Sequence, residues 1–293
     1  MTLRNKMVLV LFALLVGSVT MGTPIDLPLA FALIILFGIP HGATDHALFN
    51  FITKKRASPK PQGRFIVFYL TLIGIYALLW LALPALSLLL FLLLSAYHFG
   101  ETQLASFRLS AWRKWVASMS WGIVALLVLF LPHLEAVTAI ISPYLVTEKH
   151  MLWVNTNGYW LLLFPLALLA IALVTFNYKL LMKELMELAL LYIIASNVSL
   201  LLGFAVFFTF WHAQDAMLLQ IWRIKHVDQS FNWRKWLRLS LPFTLVSILG
   251  IALITVVAKQ FSLQMPVTAL FFILIALITA PHVLVMAVFY TKT

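Results

Sequence analysis

The sequence GIPHGATDH, residues 38–46, places two histidines and an aspartate inside an apolar run. Apolar side chains flank this stretch on both sides. At membrane depth, ionisable side chains cost several kcal/mol unless they are paired, bound to a metal ion or in contact with water. The stretch therefore predicts a functional site within a membrane-spanning helix.

The amino-acid composition is that of an integral membrane protein. Of the 293 residues, 63% are hydrophobic and 10% are charged, and the mean hydropathy is +1.04; a soluble domain is about one quarter charged. A net charge of +11 would also fit nucleic-acid binding, but the basic residues lie in short segments between apolar runs, where they determine topology. Because the chain has no cysteine, thiolate ligands and iron–sulfur clusters are excluded.

Ten apolar runs predict an all-α, polytopic membrane protein with one transmembrane domain over residues 1–293. The predicted spans are 7–22, 27–50, 65–83, 85–106, 115–132, 158–176, 180–197, 199–220, 240–258 and 266–289. If ten spans alternate, all of the 20 lysines and arginines except Lys149 and Lys259 fall on one side. This distribution places both termini in the cytoplasm and the protein in the cytoplasmic membrane. Residues 1–22 have a basic start and a short apolar run, like a signal peptide or a signal anchor, and we expect them to be a retained first span.

Shorter features complete the predicted topology. Residues 136–146 are too short to cross and suit a re-entrant or interfacial segment. The segment 222–239 interleaves tryptophan with arginine and lysine, which is typical of an interfacial helix on anionic lipid. Tight connections are expected at Pro84 and near Asn197, and Lys6 is expected to precede the first span.

Four histidines share one predicted depth. They lie eight to ten residues before the cytoplasmic ends of spans two, four, eight and ten: His41, His98, His212 and His282. At 1.5 Å per residue each is roughly 12–15 Å from the inner boundary, near the centre of a ~30 Å hydrocarbon core. Because these four spans run in the same direction, the histidines can converge at one level.

Three carboxylates follow the histidines at helical spacing. Asp45, Glu101 and Asp215 lie three or four residues after a histidine, on the same helix face and one turn nearer the cytoplasm. This pattern predicts a metal ion bound by neutral imidazoles, with the carboxylates as hydrogen-bonding partners or additional ligands. A site with nitrogen and oxygen ligands and vacant coordination positions suits non-haem iron. Zinc, copper and manganese are the alternative ions.

The same residues would also serve other functions. A proton- or metal-coupled transporter could use this layer as a relay, although the outer halves of these spans are almost wholly apolar, which favours a closed pocket. His46 points about 100° away from His41 on a helix and is expected between helices. Pro40 and Pro281 each precede a site histidine and interrupt helical hydrogen bonding.

The motifs PHGATDH (40–46), YHFGE (97–101), FWH (210–212) and PH (281–282) occur in this order along nearly the full chain. In these motifs the sequence resembles the Brp/Blh family of prokaryotic membrane β-carotene dioxygenases. The resemblance implies a histidine-held iron(II) that splits the central double bond of β-carotene with O₂ to give two retinals.

By position, the resemblance makes His41, His98 and His212 iron ligands. The family carries a further histidine four residues after the third ligand, where this chain has Ala216. This difference leaves four alternatives. His282 or Asp215 completes the set of iron ligands, the site has three histidines, or the activity has changed. A membrane metalloenzyme acting on another carotenoid or isoprenoid lipid would use the same ligands.

Overall fold

The computed structural model describes residues 3–54, 57–145, 153–154, 156–260 and 267–292. These residues are almost entirely helical, and no strand occurs among them. A hydrocarbon environment offers no hydrogen-bond partners, so an apolar segment satisfies its own backbone groups by forming a helix. The prediction of an all-α membrane fold is confirmed.

The helices follow the apolar runs closely. In chain order, the α-helical elements are Leu3–Thr20, Asp26–Leu33, Ile39–Gly42, Asp45–Lys54, Gly63–Ala82, Pro84–Leu104, Ala111–Phe130, Leu134–Leu145, Leu163–Val174, Tyr178–Ala195, Leu200–Val206, Gln214–Val227, Trp233–Gln260 and Val267–Lys292. Two π-helical segments, Ile34–Gly38 and Phe207–Ala213, interrupt them. The predicted breaks at Pro84 and near Asn197 are confirmed, since helices end at Ala82 and Ala195 and new ones begin at Pro84 and Leu200.

Eight helices in the described part of the chain are long and apolar enough to cross a membrane. Two of the ten predicted spans fall short of that standard. The apolar helix Gly158–Val174 is too short, and Tyr178–Ala195 carries four charged side chains: Lys179, Lys183, Glu184 and Glu187. The count of ten and the cytoplasmic location of both termini stay predictions.

The two predicted surface segments have different outcomes. The segment predicted at 136–146 corresponds to the helix Leu134–Leu145, which follows the Ala111–Phe130 helix after one 3₁₀ turn, and its re-entrant or interfacial placement stays a prediction. The predicted interfacial helix at 222–239 is wrong, because one helix ends at Val227 and the next begins at Trp233. In the turn between them, Asp228 Oδ1 accepts from the Ser230 amide at 3.0 Å. Such side-chain-to-backbone bonds favour a turn over a continuous helix.

The described residues group into two compact units. The first comprises Met1–Ile34 and Ser95–Asp215, and the second comprises Ile35–Leu94 and Ala216–Thr293. In the first unit the Ala111–Phe130 helix packs against Leu163–Val174 and Tyr178–Ala195. In the second, the Val267–Lys292 helix packs against Asp45–Lys54 and Gly63–Ala82. The single domain over residues 1–293 stays a prediction.

Candidate metal centre

In the second unit, an irregular backbone positions His41. The π-helical turn Ile34–Gly38 ends just before Pro40, which has no backbone N–H to donate to the preceding turn. The Gly38 carbonyl, one turn before His41, accepts a hydrogen bond from Nδ1 of the His41 ring. Since a carbonyl oxygen can only accept, Nδ1 carries the proton, and the lone pair of this imidazole lies on Nε2. This hydrogen bond to the backbone fixes the tautomer of His41.

His282 is held by a carboxylate in the same unit. Its Nδ1 donates to both oxygens of Asp45, at 2.8 and 3.0 Å. The rings of His41 and His282 meet edge to face, with centroids 4.9 Å apart. Gly42 packs beside this ring, since a Cβ there would lie 3.6 Å from His282 Nδ1, an ordinary van der Waals distance. Both histidines are buried and each offers a ligand nitrogen within 4.8 Å of the other's.

The helical spacing of Asp45 predicted an interaction with His41, but the structure pairs this carboxylate with another histidine. The Asp45 carboxylate bonds to His282 rather than to His41, and it also accepts a hydrogen bond from the Tyr69 hydroxyl at 2.8 Å. Tyr69 lies on the Gly63–Ala82 helix, and no sequence pattern predicted its involvement. A tyrosine in an apolar run is common, so only its contact with Asp45 distinguishes it.

In the first unit, His98 and His212 form a second buried pair. Their ring centroids are 4.6 Å apart at an interplanar angle of 73°, and their ligand nitrogens also lie within 4.8 Å of each other. His212 belongs to the π-helical segment Phe207–Ala213. Such segments are rare and frequently occur at functional sites. No proline lies in this stretch, so the sequence carried no signal of the irregular backbone.

Aromatic rings enclose this pair. Phe99 lies 4.8 Å from the His212 ring, and Phe208 stacks on the same ring at 5.7 Å. Phe207 meets Phe99 edge to face at 5.0 Å. These contacts keep water from the imidazoles and surround them with apolar surface.

The remaining two predicted carboxylates bind lysines in the first unit. Glu101 is buried, lies 2.9 Å from the ammonium of Lys114 and accepts a hydrogen bond from Tyr97 at 3.2 Å. Asp215 lies 3.5 Å from Lys6. A role for Glu101 or Asp215 as a metal ligand or histidine partner stays a prediction.

Lys6 belongs to a buried ionic cluster that the sequence did not reveal. The expectation that it precedes the first span is wrong, because it lies within the Leu3–Thr20 helix and is only 1% exposed. Its ammonium is 2.5 Å from the buried carboxylate of Glu187 and 5.1 Å from the Trp211 ring centroid. Gln103 donates to Glu187 and Glu184, at 2.8 and 2.6 Å. Lys183 lies within 3.0 Å of both carboxylates.

Substitution of Lys6 by methionine is expected to destabilise the protein by about 3 kcal/mol, because it leaves a buried carboxylate without its nearest cation. This is the low end of the range for a broken buried pair, since Lys183 still lies beside Glu187. SDS-induced unfolding of purified protein measures the change. Lys183→Met is the control and is expected to cost less, because that side chain is 36% exposed. Equal losses of stability in the two variants would mean that the burial of Lys6 does not strengthen the contribution of its ion pair.

The other histidines have separate surroundings. His46 is buried against Phe243, with ring centroids 4.3 Å apart, and so lies between helices as expected. His133 Nε2 bonds to the Ala195 carbonyl at 2.7 Å, and His226 Nδ1 bonds to the Trp222 carbonyl at 2.8 Å. Lys149 and His150 lie outside the described residues.

The fold and these residues define a class: a multi-pass helical membrane protein with four buried histidines that could bind a metal ion. The family model described as beta-carotene 15,15'-dioxygenase matches residues 32–290, and the chain belongs to this family. All four motifs lie within the matched range, so the resemblance drawn from them is confirmed. The chain is thus a member of a family of carotenoid-cleaving oxygenases.

A curated relative supports the assignment over a shorter stretch. The protein named Beta-carotene 15,15'-dioxygenase from an uncultured marine bacterium, 66A03, is 36% identical over 126 residues. The match covers 42% of this chain and 44% of the relative, so it spans less than half of either. No solved structure gives a significant match to the chain.

Proposed function

We propose that this protein is an iron-dependent dioxygenase that cleaves the central double bond of β-carotene with O₂ and releases two retinals. Family membership over residues 32–290 supports the reaction class. The observation that carries the proposal is the presence of two buried, edge-to-face histidine pairs, one in each unit: His41 with His282, and His98 with His212.

The four imidazoles are chemically suited to bind iron(II). His41 and His282 each hold their proton on Nδ1, so each can offer Nε2 as a neutral ligand. A nitrogen donor set with open positions and no thiolate suits non-haem iron. We assign all four histidines as ligands, His98 and His212 included. Bound there, iron(II) would supply the activation of O₂.

The reaction determines what the carboxylates need to do. The central C=C bond breaks, and each carbon takes one oxygen atom of O₂, so no external reductant is needed and no net proton is transferred. Asp45 would therefore act by holding the His282 ring in place, and its hydrogen bond would make that imidazole a stronger donor. Glu101 and Asp215 stay candidates for additional ligands.

The surroundings of the histidines suit an apolar substrate. Phe99, Phe207 and Phe208 present aromatic faces around His98 and His212, and such surface accommodates a rigid polyene. A carotenoid dissolved in the bilayer would enter laterally, without an aqueous channel. We place the protein in the cytoplasmic membrane with both termini inside.

The direct test is retinal accumulation in cells that already make β-carotene. Wild-type protein is expected to produce retinal, His41→Ala is expected to produce none, and the exposed control His226→Ala is expected to match the wild type. Aldehydes of other lengths would indicate a different cleavage position. Intact β-carotene without retinal, with the protein present in the membrane, would defeat the proposal.

A further inference from the structure

Tyr69 lies one hydrogen bond away from the histidine pair of the second unit. Its hydroxyl donates to Asp45 Oδ2 at 2.8 Å, and the same carboxylate accepts from His282 Nδ1. The three residues come from three helices that pack together, Gly63–Ala82, Asp45–Lys54 and Val267–Lys292. Two donors thus converge on one buried carboxylate.

Together, the two hydrogen-bond donors restrict the orientation of the Asp45 carboxylate more than either donor does alone. A carboxylate with one donor can rotate about its last torsion, whereas donors on two sides set both its plane and its position. Asp45 Oδ2 accepts from Tyr69 at 2.8 Å and from His282 at 3.0 Å, while Oδ1 accepts from His282 at 2.8 Å. The direction in which the His282 ring presents Nε2 therefore depends on a tyrosine that does not touch the ring.

We propose that Tyr69 is a positioning residue, which acts through Asp45 to hold His282 in the orientation that binds the metal ion. This inference rests on the proposed function, in which His282 is a ligand. Groups hydrogen-bonded behind a ligand commonly alter metal affinity 10- to 100-fold. Because Tyr69 lies one step further from the ligand than Asp45, its removal is expected to have the smaller effect of the two.

The test uses purified protein loaded with cobalt(II), whose visible absorption reports ligand number and geometry. Tyr69→Phe removes only the hydroxyl and is expected to release cobalt to a chelator roughly three- to tenfold faster, with an altered absorption band. Tyr76→Phe is the matched control, since it removes a buried hydroxyl from the same helix that donates instead to the Ser87 carbonyl at 2.7 Å. It is expected to leave both readouts unchanged.

A second pair of variants separates positioning from general destabilisation. Asp45→Ala removes the acceptor of both hydrogen bonds and is expected to release cobalt about 10- to 100-fold faster than wild type. Addition of Tyr69→Phe to Asp45→Ala is expected to change nothing more, because Tyr69 acts through the Asp45 carboxylate. The inference would be overturned if Tyr69→Phe released cobalt at the wild-type rate, or if it had its full effect in the Asp45→Ala background. A wild-type protein that binds no cobalt and makes no retinal would instead defeat the proposed function, and the positioning role with it.

Discussion

The His98→Ala and His282→Ala variants are each expected to lose bound iron and retinal formation together. Under the proposed function all four histidines are ligands, so the loss of either residue leaves three imidazoles. Removal of a hydrogen-bonding partner behind a ligand costs 10- to 100-fold in affinity, so loss of a ligand is expected to cost more than about 100-fold. Iron content of the purified protein and retinal yield in β-carotene-producing cells measure the two effects.

The controls distinguish between the ligand sets that the sequence left open. His133→Ala removes a histidine of the first unit that bonds to the Ala195 carbonyl, and it is expected to keep its iron. If His282→Ala also keeps its iron, the ligand set does not include His282. Comparison with Asp215→Asn then separates a three-histidine site from one that Asp215 completes. If His98→Ala keeps its iron as well, the proposed four-histidine ligand set is wrong.

Local sequence patterns predicted much of this protein because its environment leaves few choices. Apolar runs become helices in hydrocarbon, so each predicted span corresponds to a helix, and the breaks at Pro84 and near Asn197 fall as expected. Burial of His41, His98, His212 and His282 could also be predicted, because all four interrupt apolar runs at similar depth.

Features that depend on tertiary packing could not be predicted. Asp45 bonds to His282, which is 237 residues away, although helical spacing placed it on the face of His41. The π-helical segment around His212 has no proline to mark it. Lys6 had the position of a topology-determining lysine, but its contacts with Glu187 on the Tyr178–Ala195 helix and with Asp215 make it a buried ion-pair partner. Spacing restricts which face a side chain occupies, but packing selects its partner.

Gly100→Ala is expected to cost at least about 3 kcal/mol of stability and to displace His98. A Cβ at Gly100 would overlap the backbone of Ser118, and one at Gly122 would overlap the backbone of Ala96. The two contacts are reciprocal, so the Pro84–Leu104 and Ala111–Phe130 helices touch through their backbones on either side of His98. Overpacking against side chains costs about 1–3 kcal/mol, and a backbone cannot rotate out of the way.

SDS-induced unfolding and iron content measure the two consequences of Gly100→Ala. Gly74→Ala is the control, because a Cβ there meets nothing within 4 Å; it is expected to be neutral or to stabilise its helix by about 0.5–1 kcal/mol. Wild-type stability and iron content in Gly100→Ala would mean that the two helices can separate without moving His98. A Gly100→Ala, Gly122→Ala double variant is expected to lose less than the sum of the single losses, since one displacement of the helices relieves both overlaps.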